Sequence, residues 1–162
     1  MLISFNDLPS HSRVWVFQSS KVFSDFQIDD LKKKIETFLE KWTSHGHSFE
    51  TGYKLPYKRF VVIGLNESSN SASGCSIDKC MNFIKSLESV YDVDLLDKMN
   101  VTYRNKNLIE YVNLKEFIKL AKSKLVSLDT IVFNNLVLNK DEFIENWEVR
   151  AKDSWHKRFM KF

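Results

Sequence analysis

The chain has 162 residues, of which 43% are hydrophobic and 28% are charged, a balance typical of one globular domain with its own core. With four glycines and two prolines, it lacks the composition of a linker or a disordered tail. The net charge of +3 is too small to indicate nucleic-acid binding by itself, and no apolar run of about eighteen residues predicts a membrane span. We therefore expect a single soluble domain over residues 1–162.

The cysteines and the N-terminus bear on the compartment. Cys75 and Cys80 are five residues apart, a spacing that does not favour a disulfide between them on a helix. The first residues show no basic region before a long apolar run, so no signal peptide is predicted. Together these features predict a cytoplasmic protein with reduced thiols.

The first half of the chain alternates strand and helix patterns. Residues 14–18 are β-branched or aromatic, which predicts a strand, and apolar residues three and four apart predict a helix over 28–42. We expect this helix to stop near Gly46, a residue suited to a left-handed cap. Residues 49–55 and 59–65 predict a hairpin turning at Pro56, with residues 60–63 as a central buried strand.

The second half continues with shorter elements. Residues 67–73 predict a polar loop, followed by a helix over 77–91 with Ser76 as its N-cap. Residues 101–104 and 108–112 predict a hairpin, and Asn113 predicts the start of a helix that runs to residue 125. A strand at 130–133, with a possible continuation through 136–138, precedes a last helix capped by Asn139.

The order of the first six elements is strand, helix, strand, strand, helix, strand. This order predicts an α+β domain with a split βαβ, or ferredoxin-like, core, and the remaining helices and strands as a C-terminal elaboration. The alternative is another mixed sheet with helices on one face.

The candidate site with the clearest chemical rationale is the loop that opens the second helix. Cys75 stands there beside Gly74, and unpaired amides at a helix start favour a thiolate or bind an anion. We expect Ser73, Gly74, Ser76 and Asp78 to line this site, where a small anionic molecule would bind. The alternative is an ordinary strand-to-helix connection, with Cys75 as a small buried residue and Asp78 complementing the helix dipole.

A nucleophilic thiol needs a base within hydrogen-bond reach. His45 and His156 are the main candidates, with His47 as another, and Arg59 could orient an anionic substrate. The alternative for His45 is a cation at a helix C-terminus. The residue types of His45, His47, Cys75 and either His156 or Asp78 suit zinc, but no paired ligand spacing predicts a metal site. No glycine-rich phosphate loop is present, and no cofactor is expected.

A second hypothesis is a non-catalytic module that binds RNA or protein. Basic and aromatic residues crowd the turn at 54–59 and the tail at 154–162, a combination that can bind phosphates and stack bases. The alternative is that the lysines are solvated and the aromatic rings cover the core. A third hypothesis is a homodimer or scaffold subunit whose interface uses the many phenylalanines.

Four motifs carry a resemblance to a known family: Trp42-x-x-His45-Gly46, Arg59-Phe60, the stretch Ser-Gly-Cys-Ser-Ile-Asp at 73–78, and Ser-Trp-His-x-Arg-Phe at 154–159. The chain resembles, over nearly its whole length, short proteins of Bacteroidota that are often labelled "ABC transporter ATPase". The resemblance implies a cytoplasmic bacterial protein and assigns no catalytic residue. Because the chain has no phosphate-binding loop, we do not expect the ATP hydrolysis that the label implies.

Overall fold

The computed structural model describes residues 1–162 as a mixed α/β chain with four α-helices and three antiparallel sheets. The helices are α1 (Asp25–Lys41), α2 (Gly74–Tyr91), α3 (Leu114–Lys122) and α4 (Lys140–Asn146). The strands are β1 (Arg13–Gln18), β2 (Thr43–Ser44), β3 (His47–Ser48), β4 (Glu50–Lys54), β5 (Phe60–Asn66), β6 (Val101–Asn105), β7 (Leu108–Val112), β8 (Ile131–Phe133) and β9 (Glu148–Arg150). No helix is long and apolar enough to cross a membrane.

The first sheet has the order β1-β5-β4, with antiparallel pairing throughout. Its central strand β5 is buried on both faces, which explains the uninterrupted apolar run that predicted a central strand. Val61 and Ile63 belong to a cluster of 17 buried residues shared with α1 and α2. Phe60 and Val62 face a second cluster, which reaches β8 and α4. The sheet therefore separates two parts of the core.

The helices α1 and α2 cover the same face of the first sheet. A capping box at Ser24 and Gln27 begins α1, and the buried positions of that helix are Ile28, Leu31, Ile35 and Leu39. The prediction that α1 stops at Gly46 is wrong. The helix ends at Lys41, and Gly46, at φ +79°, instead forms the turn between β2 and β3 with His45. Its left-handed backbone was anticipated, but it serves a hairpin and not a helix cap.

The structure confirms a mixed α/β fold but not the predicted split βαβ topology. The order β1-β5-β4 corresponds to three of its strands, but the strand that follows α2 does not join β1. That strand, β6, lies in a second sheet of order β7-β6-β8-β9. A loop covers the free edge of β1. The amide of Val14 in β1 donates to the carbonyl of Leu138 in this loop at 3.0 Å.

The C-terminal elements refine the sequence predictions. Asn113 and Asn139 cap α3 and α4 as predicted, each through a side-chain oxygen. Residues 136–138 are a loop and not a continued strand, and β9 was not predicted. The tail forms two short 3-10 helices, Ala151–Asp153 and Trp155–Phe159.

Candidate functional site

The predicted Cys75 loop is the first turn of α2. Ser73, and not Ser76, is the N-cap, because its extended backbone allows its hydroxyl to accept from the amide of Ser76 at 3.2 Å. Ser76 is buried and its own hydroxyl donates to the carbonyl of Ser73. Gly74 has no left-handed backbone, and a Cβ there would meet no atom within 4 Å. Neither the backbone conformation nor the packing requires glycine at this position.

Cys75 is exposed, as a reactive thiol must be. The indole Nε1 of Trp42, the residue that follows α1, donates to the carbonyl of Ser76 at 2.8 Å. This hydrogen bond joins the end of α1 to the first turn of α2. The β2–β3 hairpin lies against α2, with His45 exposed at its turn. No hydrogen bond joins Cys75 to His45 or to any other side chain, and Asp78 is exposed on the next part of the turn.

His156 lies in a different part of the molecule. Its Nδ1 is hydrogen-bonded to the hydroxyl of Ser154 at 2.8 Å, and its ring stacks on Trp155 and meets the edge of Phe117. Only 1% of the residue is exposed, and burial lowers the pKa of its imidazole to about 4. A neutral, enclosed ring of this kind belongs to the packing of the C-terminal part. The structure does not bring it to Cys75.

Arg59 is also buried, with 9% of the residue exposed. Its Nε and Nη1 are enclosed and have no hydrogen-bond partner, and no carboxylate forms an ion pair with it. Burial lowers the pKa of this guanidinium, while the negative charge of Glu110 and the phenol of Tyr111 oppose the shift. Cys75, His45, His156 and Arg59 thus do not converge on one cavity, and the catalytic role of the thiol and the histidines stays a prediction.

The turn at 54–59 and the tail at 154–162 are tied into the structure by their aromatic rings. Tyr57, which has a left-handed backbone, donates to the carboxylate of Glu148 and lies under the guanidinium of Arg104. A concavity of about 570 Å³ is lined by residues of this turn together with Phe143 and Ile144 of α4 and Trp147. In the tail, the ring of Trp155 stacks on His156, which covers one of its faces.

A concave surface that sequence analysis did not identify runs between α1 and α2. It consists of two concavities of about 490 and 430 Å³ that share Phe38, Lys41 and Phe83. The remaining lining residues are Asp30, Lys33, Lys34, Thr37, Trp42, Lys79, Asn82, Ser86, Leu87 and Val90. We call this surface the α1–α2 groove.

The floor of the α1–α2 groove is a pair of stacked rings. Phe38 and Phe83 lie with their centroids 4.3 Å apart and their planes within 4° of parallel. Both are only half-buried, although they pack against the main cluster. Val90 extends the apolar surface and is 56% exposed. Uncovered aromatic surface in a concavity is typical of a binding groove.

The rim of the groove is basic. Lys33, Lys41 and Lys79 are exposed and form no ion pair. Lys34 pairs with Asp30 at 3.2 Å, and the phenol of Tyr91 donates to the same carboxylate at 2.6 Å. These two hydrogen bonds hold the pKa of Asp30 below its usual value, and the one from Tyr91 has the larger effect. The one acidic residue of the lining is thus engaged, and three cations remain free.

The groove and the predicted thiol lie along one face of α2. Cys75, Lys79 and Phe83 follow one another at a spacing of four residues, which places them on one side of a helix. The sequence held one signal for this surface, since Phe83 is a large aromatic residue outside the apolar stripe that predicted α2.

No group of three or more histidine, cysteine or acidic side chains is placed to hold a metal ion. No protein-family model matches the chain, and no curated protein or solved structure matches it either. The geometry of the groove is therefore the basis on which a function is proposed.

Proposed function

We propose that this protein is a binding module that takes up an acidic, amphipathic segment of a protein in the α1–α2 groove. The observation that carries the proposal is the half-exposed Phe38–Phe83 stack surrounded by the unpaired Lys33, Lys41 and Lys79. Apolar side chains of the partner would cover the rings, and its carboxylates would meet the ammonium groups. Burial would supply the affinity, and charge would supply the orientation and the association rate.

The shape and the rings of the groove favour a peptide over a nucleic acid. Phe38 and Phe83 stack face to face on each other, so one face of each ring is already covered. Base stacking needs a free aromatic face. A concave surface also suits an inserted side chain better than the flat interface of a lipid bilayer.

The length of the groove suggests the size of the occupant. Along α1 it runs from Asp30 to Lys41, eleven residues apart, which is about 16 Å of helix. A partner helix of about three turns, or an extended segment of about five residues, would cover it. Cys75 would then lie beside one end of the bound segment, where its proposed thiol chemistry or anion binding would be additional to docking.

Two further parts of the proposal concern the setting. We propose a cytoplasmic location, which the free Cys75 and Cys80 support because unpaired thiols persist in a reducing compartment. We also propose that residues 13–91 are a split βαβ unit in which a loop covers the edge of β1 where a fourth strand would pair. The hydrogen bond from Val14 to Leu138 supports this proposal.

A designed peptide tests the binding proposal. The probe is a fluorescein-labelled helical peptide with leucine at helical spacing on one face and glutamate on the other, titrated by fluorescence anisotropy. We expect saturable binding that weakens by about tenfold between about 50 and about 500 mM salt, because exposed charges are screened. We expect no binding of the same peptide with lysine in place of glutamate.

Matched variants locate the binding surface. Val90→Glu should weaken binding by about tenfold, because it adds a negative charge and removes apolar surface from the groove. Val22→Glu is the control, since Val22 is exposed to the same 56% outside the groove. Likewise, Lys33→Gln with Lys41→Gln and Lys79→Gln should abolish binding. The same change at Lys98, Lys115 and Lys119 is its control, and those lysines are exposed elsewhere.

The proposal would be overturned if the acidic peptide failed to bind at low salt, or if both sets of variants bound alike. A labelled single-stranded RNA serves as the competing probe. Binding of that RNA, lost in the groove variants while the peptide does not bind, would replace the proposal with nucleic-acid recognition.

A further inference from the structure

A second exposed surface of the chain has the chemistry that the groove requires. Between residues 136 and 145, three apolar side chains are largely solvated: Leu136, Leu138 and Ile144 are 51%, 70% and 66% exposed. Isolated exposed apolar residues are common, but three within ten residues form a patch. We call this stretch the 136–145 segment.

The charges of the 136–145 segment are acidic. Asp141 and Glu145 are exposed on α4, Glu142 lies between them, and none of the three forms an ion pair. The one basic residue, Lys140, is turned inward, where its ammonium donates to the carbonyls of Asn6 and Leu8 at 2.7 and 2.6 Å. The surface of the segment therefore presents carboxylates and aliphatic side chains only.

We infer that the α1–α2 groove of one copy takes up the 136–145 segment of a second copy of this chain. This inference rests on the proposed function and names the occupant. Three unpaired lysines around an apolar floor match the exposed carboxylates of Asp141 and Glu145, which lie beside three exposed aliphatic side chains. The carboxylate of Glu142 accepts from the amide of Leu138 at 2.7 Å and is engaged within the segment. The seven residues of α4 are about 10 Å long and fit within the length of the groove.

Each contact joins two different surfaces, the groove of one copy and the segment of the other. The groove lies between α1 and α2, whereas the segment belongs to α4 and the loop before it. Two copies either exchange segments reciprocally or leave one groove and one segment free for further copies. Association should therefore increase with protein concentration and decrease with salt.

Sedimentation velocity of the full chain tests this inference, across the micromolar range and at about 50 and about 500 mM salt. We expect a mass above that of one chain at low salt and a shift toward the monomer at high salt. The doubly reversed groove variant Lys41→Glu with Lys79→Glu should weaken association by about tenfold or more, and so should the segment variant Asp141→Lys with Glu145→Lys.

Mixing the two variants is the decisive arm. The reversed groove carries carboxylates and the reversed segment carries amines, so the equimolar mixture should associate again although each variant alone does not. The control is Lys115→Glu with Lys119→Glu, placed on the exposed part of α3. Circular dichroism melting of every variant checks that each remains folded.

A monomer mass at every concentration and salt would overturn the inference, and so would a mixture that fails to associate while both variants are folded. Neither result contradicts binding of the designed peptide, because the groove of a monomeric chain is free to bind that peptide. Loss of peptide binding together with intact self-association would instead overturn the proposed function and place the contact elsewhere.

Discussion

The buried His156 makes the stability of this protein depend on pH in a way that can be calculated. Its imidazole changes from a pKa of 6.5 in a solvated chain to about 4 in the folded one, because burial penalises the charged form. Between these two values the unfolded chain binds the proton and the folded chain does not. Stability is therefore fully present above pH 6.5 and is lost as the pH falls toward 4.

One pKa unit corresponds to about 1.4 kcal/mol, so the difference between 6.5 and about 4 amounts to about 3 kcal/mol at pH 4. That loss is a large part of the stability of an ordinary domain. His156→Asn removes the titrating ring and retains a polar atom near the hydroxyl of Ser154. The variant should be less stable than the parent at neutral pH, because a buried ring is truncated, but its stability should fall less on acidification.

The assay is urea unfolding followed by tryptophan fluorescence, at pH 7 and at steps down to pH 4, for the parent and for His156→Asn. The difference in free energy of unfolding between the two proteins should shrink by about 3 kcal/mol over this range. His47→Asn is the control, since the same substitution is made there on an exposed histidine. A pH-independent difference for His156→Asn would refute the assignment of a buried neutral imidazole.

Three other predictions follow from buried and exposed groups. Ellman's reagent at pH 8 should modify Cys75 alone in the folded chain, since Cys80 is buried and its pKa is raised to about 12; two fast thiols would contradict this. Arg59→Met should raise the free energy of unfolding by about 1 kcal/mol, because the buried guanidinium has no hydrogen-bond partner. Arg104→Met, which removes the ion pair with Glu148, should lower it by a similar amount. A lower free energy of urea unfolding for Arg59→Met would reveal a hydrogen-bond partner of Arg59. Lys140→Met should cost about 2 kcal/mol by removing the donor to the buried carbonyl of Leu8 and the partly buried carbonyl of Asn6, and an unchanged urea midpoint would show that water replaces the amine.

Local patterns predicted most elements of the fold. The β-branched residues at 14–18 formed β1, the continuous apolar run at 60–63 formed the middle of β5, and asparagine caps began α3 and α4. These signals depend on neighbours within a few residues. The helix ends were predicted less well, because Ser73 and Ser76 offer the same capping group and only the backbone decides between them.

The candidate site was predicted only as a set of parts. The position of Cys75 at the start of a helix followed from the sequence, but its exposure and its separation from His156 and Arg59 did not. The groove was missed because its two stacked rings come from different helices. Phe38 belongs to the apolar stripe that predicts α1, whereas Phe83 lies outside the apolar stripe that predicts α2.

Local residue patterns are sufficient to predict the helices and strands and the position of Cys75 at the start of α2. Each of these depends on the residue types within one or two turns of chain. Long-range packing sets the exposure of Cys75, the departure of β6 from the first sheet and the stacking of Phe38 on Phe83. It also encloses Arg59 and His156 in separate places. These outcomes depend on which surfaces of distant elements bury each other, and burial between distant elements leaves no periodic pattern in the chain.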